Sequence, residues 1–236
     1  MWRILLMVLR NFWKVPGAYW KLCHYAKNTD KYPELEKWQH IQYIMKLAVT
    51  SGNIDFVLKG TENIPQEGPF LIYGNHQGLF DIVAIAATCD RPIGGVFKKE
   101  IKDIPFIKQI SDCTKSFAMD REDVRQSMEV IVNVIKELKQ GRSYLIFPEG
   151  TRSRKGNEML DFHAGSFKCA LKAKCPVVPV ALVNSYKVLD EKGTKPVHME
   201  LHYLQPIMPE EFEKMNTQQL AALTQERIDE VLKDFR

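Results

Sequence analysis

The segment LIYGNHQGLFD, residues 71–81, closes an apolar run with Gly74, Asn75 and His76 and sets Asp81 five positions after the histidine. A histidine on a loop with a carboxylate in the first turn of the next helix can act as a base and its orienting partner. Asp81 accepts from one ring nitrogen, and the other nitrogen is left to take a proton. On spacing alone, a satisfied structural pair is the competing reading. A second segment, FPEGTRSR at 147–154, gathers Glu149, Gly150, Thr151, Arg152 and Arg154. Glycine lets backbone approach a ligand, threonine adds a hydroxyl, and arginine offers a planar fork for phosphate oxygens. A solvated charged turn is its alternative. In a third, FAMDREDV at 117–124, Asp120 or Asp123 can cap a helix starting near Val124. Arg121 would then add an anion site beside that helix end, or would simply pair with the neighbouring acids.

What the chain lacks narrows the reaction. There is no G-x-S-x-G elbow, no HExxH, no Walker loop and no dinucleotide fingerprint after a strand. A base without a protein nucleophile implies that the substrate supplies one, as when an alcohol activated by His76 attacks an acyl carbonyl directly.

These residues need elements to hold them. Short apolar or β-branched runs predict strands at 55–58, 69–74, 93–97, 143–147, 177–183 and 198–204. Helical periodicity falls near 79–89, 124–140, 164–174 and 217–235. Alternation of the two predicts an α/β fold, a mixed and partly parallel sheet flanked by helices. His76, Lys98 and the Glu149 segment all come just after strands, where open α/β sheets build their sites.

At 236 residues and 45% apolar content the chain can bury a substantial core. Cys23, Cys89, Cys113, Cys169 and Cys175 contain no CxxC pair, so no disulfide framework or zinc site is expected, and the thiols read as reduced and intracellular. The net charge is +4, yet residues 1–28 hold Arg3, Arg10, Lys14, Lys21 and Lys27 and no acid. That imbalance points to an anionic surface near the N-terminus and away from nucleic acid.

On a helical wheel Arg3, Arg10, Lys14 and Lys21 share one stripe, with Leu5, Leu6, Leu9, Phe12 and Trp13 on the other sides. Trp2, Trp13, Trp20 and Trp38, all the tryptophans of the chain, precede residue 39. Pro16 should kink or interrupt this helix. A second helix at 33–50 aligns Trp38, Ile41, Met45 and Val49. The pattern predicts a helical pair lying in a membrane interface, residues 1–52, ahead of an α/β domain at 53–236. Packing of the pair on the main domain or on another subunit is the alternative.

NHQGLFD, KKEIKDIP with FAMDRED, FPEGTRSR and VVPVAL resemble, in order and spacing, the four blocks of the glycerolipid acyltransferases. The likeness is greatest to the bacterial 1-acyl-sn-glycerol-3-phosphate acyltransferases and spans about residues 55–205, with the N-terminal helices similar to that group's two-helix membrane motif. The resemblance implies His76 as general base, Asp81 as its orienting partner, and Arg121 and Arg152 on the acceptor phosphate. It implies Glu149 holding the glycerol or shaping the loop with Gly150 and Thr151, and Lys98 near the thioester. Pro179 would shape a pocket. The implied reaction moves a fatty acyl group from acyl-CoA or acyl carrier protein, co-substrates with no further cofactor or metal, to the sn-2 hydroxyl of lysophosphatidate. Backbone N–H groups near Gly78 or Lys98 would hold the oxyanion. The place implied is the cytoplasmic face of the cell membrane, peripheral or monotopic, against anionic lipids.

Two stretches depart from the family. FIKQISDCTKSF stands where many members carry a Gly-rich, Trp-containing piece, and FHAG stands for Phe-Lys-x-Gly, which brings His163 near the site as a rival titrating group.

Overall fold

The computed structural model describes residues 2–236. Three helices come first: α1 (Trp2–Arg10), α2 (Val15–Lys27) and α3 (Glu34–Ser51). Strand β1 (Ile54–Lys59) follows, then β2 (Leu71–Gly74), α4 (Asp81–Thr88), β3 (Ile93–Lys98), α5 (Ile107–Thr114) and β4 (Phe117–Met119). The chain continues through α6 (Val124–Lys139), β5 (Ser143–Ile146), α7 (Lys168–Ala173), β6 (Val177–Val183), α8 (Tyr186–Leu189), β7 (Val197–Tyr203), α9 (Pro209–Phe212) and α10 (Thr217–Leu232).

The seven strands form one sheet in the order β1-β7-β6-β2-β5-β3-β4. The β2–β6, β2–β5, β3–β5 and β3–β4 pairs are parallel, whereas β6 meets β7 antiparallel. Every residue of β2, β5 and β6 is buried, as expected of strands covered on both faces, and this is why their sequences are continuous apolar runs. Successive side chains of a strand point to opposite faces. Ile72 accordingly joins the core layer shared with α3, α4 and the N-terminal helices, while Leu71 and Tyr73 join the layer shared with α6, α7 and α10.

The six predicted strands are all present. Strand β4 was not foreseen, because three residues carry no readable period, and α5 fills the divergent stretch between β3 and β4. The predicted helix at 164–174 is a 3-10 turn, Ala164–Phe167, leading into α7.

The N-terminal segment differs more. It is three helices, not two, because the chain turns at residues 11–14 and Pro16 sits in the first turn of α2, where its missing N–H costs nothing. Nor is the segment a detached appendage. Trp38, Ile41 and Met45 belong to the same core as the sheet, and the Trp38 indole N–H donates to the Cys89 carbonyl at 2.9 Å.

The basic stripe is also divided. Arg3 is 4% exposed, and its guanidinium donates to the carbonyls of Val188 (2.8 Å), Gly52 (2.7 Å) and Lys195 (2.9 Å). Arg10 donates to the Ser51 carbonyl and to Asn53 Oδ1. These two arginines therefore fasten α1 to the body of the protein. The exposed surface of α1, the turn and α2 carries Trp2, Leu5, Leu9, Phe12, Trp13 and Trp20, with Lys14 and Lys21 also exposed.

Candidate active site

β2 ends at Gly74, and Asn75 continues the sheet with its side chain. Its amide donates to the Leu182 carbonyl at 2.9 Å and its Oδ1 accepts from the Leu182 N–H at 2.7 Å, which fixes the exit of the loop from the strand. His76 follows, and its N–H is held by Glu149 Oε1 at 2.6 Å and its carbonyl by the Ser153 N–H at 2.8 Å. The loop is thus anchored to β6 on one side and to the segment after β5 on the other.

Asp81, the first residue of α4, is fully buried. Its Oδ2 accepts from the Gln77 N–H (2.7 Å) and the Gly78 N–H (3.0 Å) and lies 2.7 Å from His76 Nδ1. An ionised carboxylate has no proton to give, so Nδ1 is the donor and the lone pair of the ring resides on Nε2. Among the described residues Nε2 has no hydrogen-bond partner. The ring is 21% exposed and stacks on Phe147, with centroids 4.2 Å apart and planes 14° from parallel. It is held on two sides and open on the third. Gly78 is required by close approach: an added Cβ would lie 2.6 Å from Asp190 Oδ2 and 2.8 Å from the Tyr186 Cα.

Glu149 is buried, and both its oxygens are occupied by backbone, Oε1 by His76 N–H and Oε2 by Leu160 N–H at 2.8 Å. Desolvation pushes its carboxyl up to about 7 against the pull of those two donors. Because those donors come from two separate segments, the carboxyl ties the His76 loop to the stretch after β5. Gly150 takes the left-handed conformation at φ +70° to close the turn, with the exposed ring of His163 packed beside it. Thr151 is exposed. Arg152 is not free, since its Nη1 donates to Asp190 Oδ1 at 2.7 Å while the other Asp190 oxygen accepts from Leu79 N–H.

Lys98 and Arg121 follow β3 and β4. Lys98 pairs with Glu100 at 3.1 Å, both about half exposed, and Lys99 pairs with Asp120. Asp123 is the cap of α6, accepting from the Gln126 N–H at 3.0 Å. No acid forms an ion pair with Arg121 among the described residues; the residue is exposed overall, while desolvation pushes its guanidinium pKa down and nearby Glu100 opposes that. In the strand order, β2 and β4 are separated by β5 and β3, which puts their ends about 14 Å apart at ordinary strand spacing. The two arginines expected on one phosphate differ in placement: Arg152, after β5, leans over the β2–α4 loop towards Asp190, and Arg121 follows the edge strand β4.

Of the expected oxyanion donors, the Gly78 N–H is already used by Asp81. No group of three His, Cys, Asp or Glu side chains among the described residues is placed to hold a metal. Residues that sequence reasoning passed over are Phe147, Asn75, Gln77, Asn157, Ser185 and Asp190. Asn75 and Gln77 lie inside the histidine segment and were available to it, whereas Ser185 and Asp190 have no signal of their own.

The sequence profile of the acyltransferase family matches residues 55–183. The chain is 30% identical over 178 residues to the 1-acyl-sn-glycerol-3-phosphate acyltransferase of Borreliella burgdorferi, covering 73% of this chain and 70% of that one. It is 31% identical over 172 residues to the protein of the same name from Salmonella typhimurium, covering 71% and 70%. The crystal structure of the 1-acyl-sn-glycerophosphate (LPA) acyltransferase PlsC from Thermotoga maritima superposes with a TM-score of 0.82 at 23% identity, covering 98% of this chain and 95% of that one. A profile that spans the His76 loop, the Glu149 segment and β6, together with relatives matched over more than two thirds of their length, shows that the chain belongs to the acyltransferase family.

Proposed function

We propose that this acyltransferase moves a fatty acyl group from an acyl thioester, acyl-CoA or acyl-acyl carrier protein, to the sn-2 hydroxyl of lysophosphatidate, giving phosphatidate. The observation that carries the reading is the state of His76: Nδ1 engaged by a buried carboxylate, Nε2 unpartnered and open. The names of the relatives supply the substrate class.

In this reading the acceptor O–H gives its proton to His76 Nε2 as its oxygen bonds to the thioester carbonyl carbon. Positioned base catalysis of this kind contributes about 10²–10⁴-fold. The tetrahedral intermediate collapses with cleavage of the C–S bond, and the departing thiolate takes the proton back from Nε2. Asp81 holds the tautomer and balances the imidazolium charge. Arg121 meets the phosphate of the acceptor, and Lys98 the charge near the thioester. Thr151 and Arg152 border the acceptor, Arg152 exchanging Asp190 for the ligand, and Glu149 and Gly150 hold the loop.

The acceptor is an amphiphile, and the site must work at a bilayer. No helix among the described residues is long and apolar enough to cross one. Attachment is therefore assigned to the exposed tryptophans and leucines of α1 and α2, peripheral on the cytoplasmic face, with Lys14 and Lys21 left to meet anionic headgroups.

The test is a labelled acyl-CoA offered to purified protein on anionic vesicles with lysophosphatidate, glycerol 3-phosphate or other lysophospholipids. Label should enter phosphatidate only. Thiol release that is equally fast without any acceptor would make the protein a hydrolase. On the same vesicles the Trp13→Ser/Trp20→Ser double variant should lose most of its co-flotation, and unchanged co-flotation would place attachment elsewhere.

A further inference from the structure

Asp81 has four hydrogen-bond partners, and they are unevenly placed. Three act on Oδ2, namely His76 Nδ1, the Gln77 N–H and the Gly78 N–H, and all three belong to one short loop. The other oxygen, Oδ1, is held by a single group, the hydroxyl of Ser185, which follows β6 and lies 104 positions along the chain. A carboxylate pinned through one oxygen can still turn about that atom. A donor on the second oxygen fixes its plane, and with it the lone pair that faces the imidazole.

Ser185 is itself fixed. It is fully buried, its N–H donates to Gln77 Oε1 at 3.1 Å, and its Oγ lies 3.1 Å from the same oxygen. The hydroxyl has one proton and two acceptors in reach; the charged and closer Asp81 Oδ1 takes it. Gln77 is anchored in turn, its amide donating to Asn157 Oδ1 at 2.9 Å, and that oxygen also accepts from the Asn184 N–H at 2.9 Å. Asn157 Nδ2 donates to the carbonyl of Phe235, near the chain's end. No buried side-chain polar atom among the described residues lacks a partner. A satisfied buried network of this kind specifies one geometry.

We infer that Ser185 is a positioning residue of the acyl-transfer site, acting through Asp81 to hold the His76 ring in its proton-accepting orientation. The inference rests on the proposed reaction for its kinetic assay and on the hydrogen-bond geometry for everything else.

The decisive experiment is a double-mutant cycle between Ser185→Ala and Asp81→Asn, measured as acyl transfer to lysophosphatidate, with thermal unfolding checked for each protein. Ser185→Ala should lower kcat roughly tenfold with KM for both substrates nearly unchanged, a misplacement effect. In the Asp81→Asn background the same change should cost nothing further, because the route of action is already gone. Wild-type kcat in folded Ser185→Ala overturns the inference, and so does an equal loss in both backgrounds, which marks a purely structural role. Should Ser185→Ala not fold, Ser185→Cys, with a much weaker donor of similar shape, is read against the same expectations.

A second readout needs no substrate. The ring N–H of His76 bound to Asp81 should give a low-field proton resonance that moves in Ser185→Ala. A resonance that stays in place overturns the inference even if the wild-type enzyme proves to transfer no acyl group, an outcome that would instead refute the proposed reaction.

Discussion

The ends of β2 and β5 and the ends of β3 and β4 face the same edge of the sheet, yet they are built differently. At β2 and β5, Asp81 and Glu149 are buried and each binds backbone N–H groups, so the loop that carries His76 is tied down through its main chain. At β3 and β4, Lys98 and Lys99 are exposed and pair with Glu100 and Asp120, and Arg121 has no ion-pair partner among the described residues. Exposed ion pairs of that kind are worth at most about 1 kcal/mol and rearrange readily. The comparison teaches a division of labour: a rigid half suited to proton transfer, which tolerates little misplacement, and an adjustable half suited to gripping an anionic group that arrives and leaves.

Replacing His76 by Ala attacks the rigid half where the effect should be largest. The rate of transfer at saturating substrate should fall about 10²–10⁴-fold, while the unfolding transition stays near that of the wild type. A variant that turns over at the wild-type rate would remove the base from the mechanism and make the two halves equivalent.

Glu149 sharpens the contrast through pH. Its folded pKa, about 7, lies above the ordinary glutamate value, so the folded protein binds the extra proton. The contribution to stability is present in full below about pH 4.5 and is lost as pH rises through about 7. A shift of this size corresponds to about 3 kcal/mol. Urea unfolding of the wild type and of Glu149→Gln between pH 4.5 and 8 should give a difference that falls with rising pH by up to that amount. A difference that stays flat would mean that the carboxyl is solvated and the β5 end is not rigid in the sense argued.

Arg121→Gln probes the adjustable half and should do less. KM for lysophosphatidate should rise about tenfold, the size of a lost charge-assisted hydrogen bond, with kcat little changed. Added salt should raise the wild-type KM more than that of the variant. If kcat falls in place of KM, Arg121 acts on the transition state and belongs with the rigid half.

The N-terminal helices show where helical periodicity misleads. A wheel groups Arg3, Arg10, Lys14 and Lys21 on one stripe only if the helix is unbroken; the turn at 11–14 divides that stripe, and a wheel cannot say what either part faces. Arg3 meets carbonyls of Gly52, Val188 and Lys195, all far along the chain, and a buried guanidinium so satisfied is a fastener. The lipid-facing surface assigned to these helices is accordingly the apolar side.

What the sequence alone determined is what neighbours along the chain can settle. The α/β alternation, the apolar strands and the placement of His76, Lys98 and Glu149 after strands follow from local pattern, and a spacing of five positions from His76 to Asp81 is enough to close their hydrogen bond within one turn. Only the tertiary structure decided that Glu149 is sealed from water, that Arg152 is held by Asp190, and that Ser185 grips the far oxygen of Asp81. Each depends on burial or on a partner brought up by another strand, and the energy of such a contact is set by the surroundings the whole fold provides, which no spacing encodes.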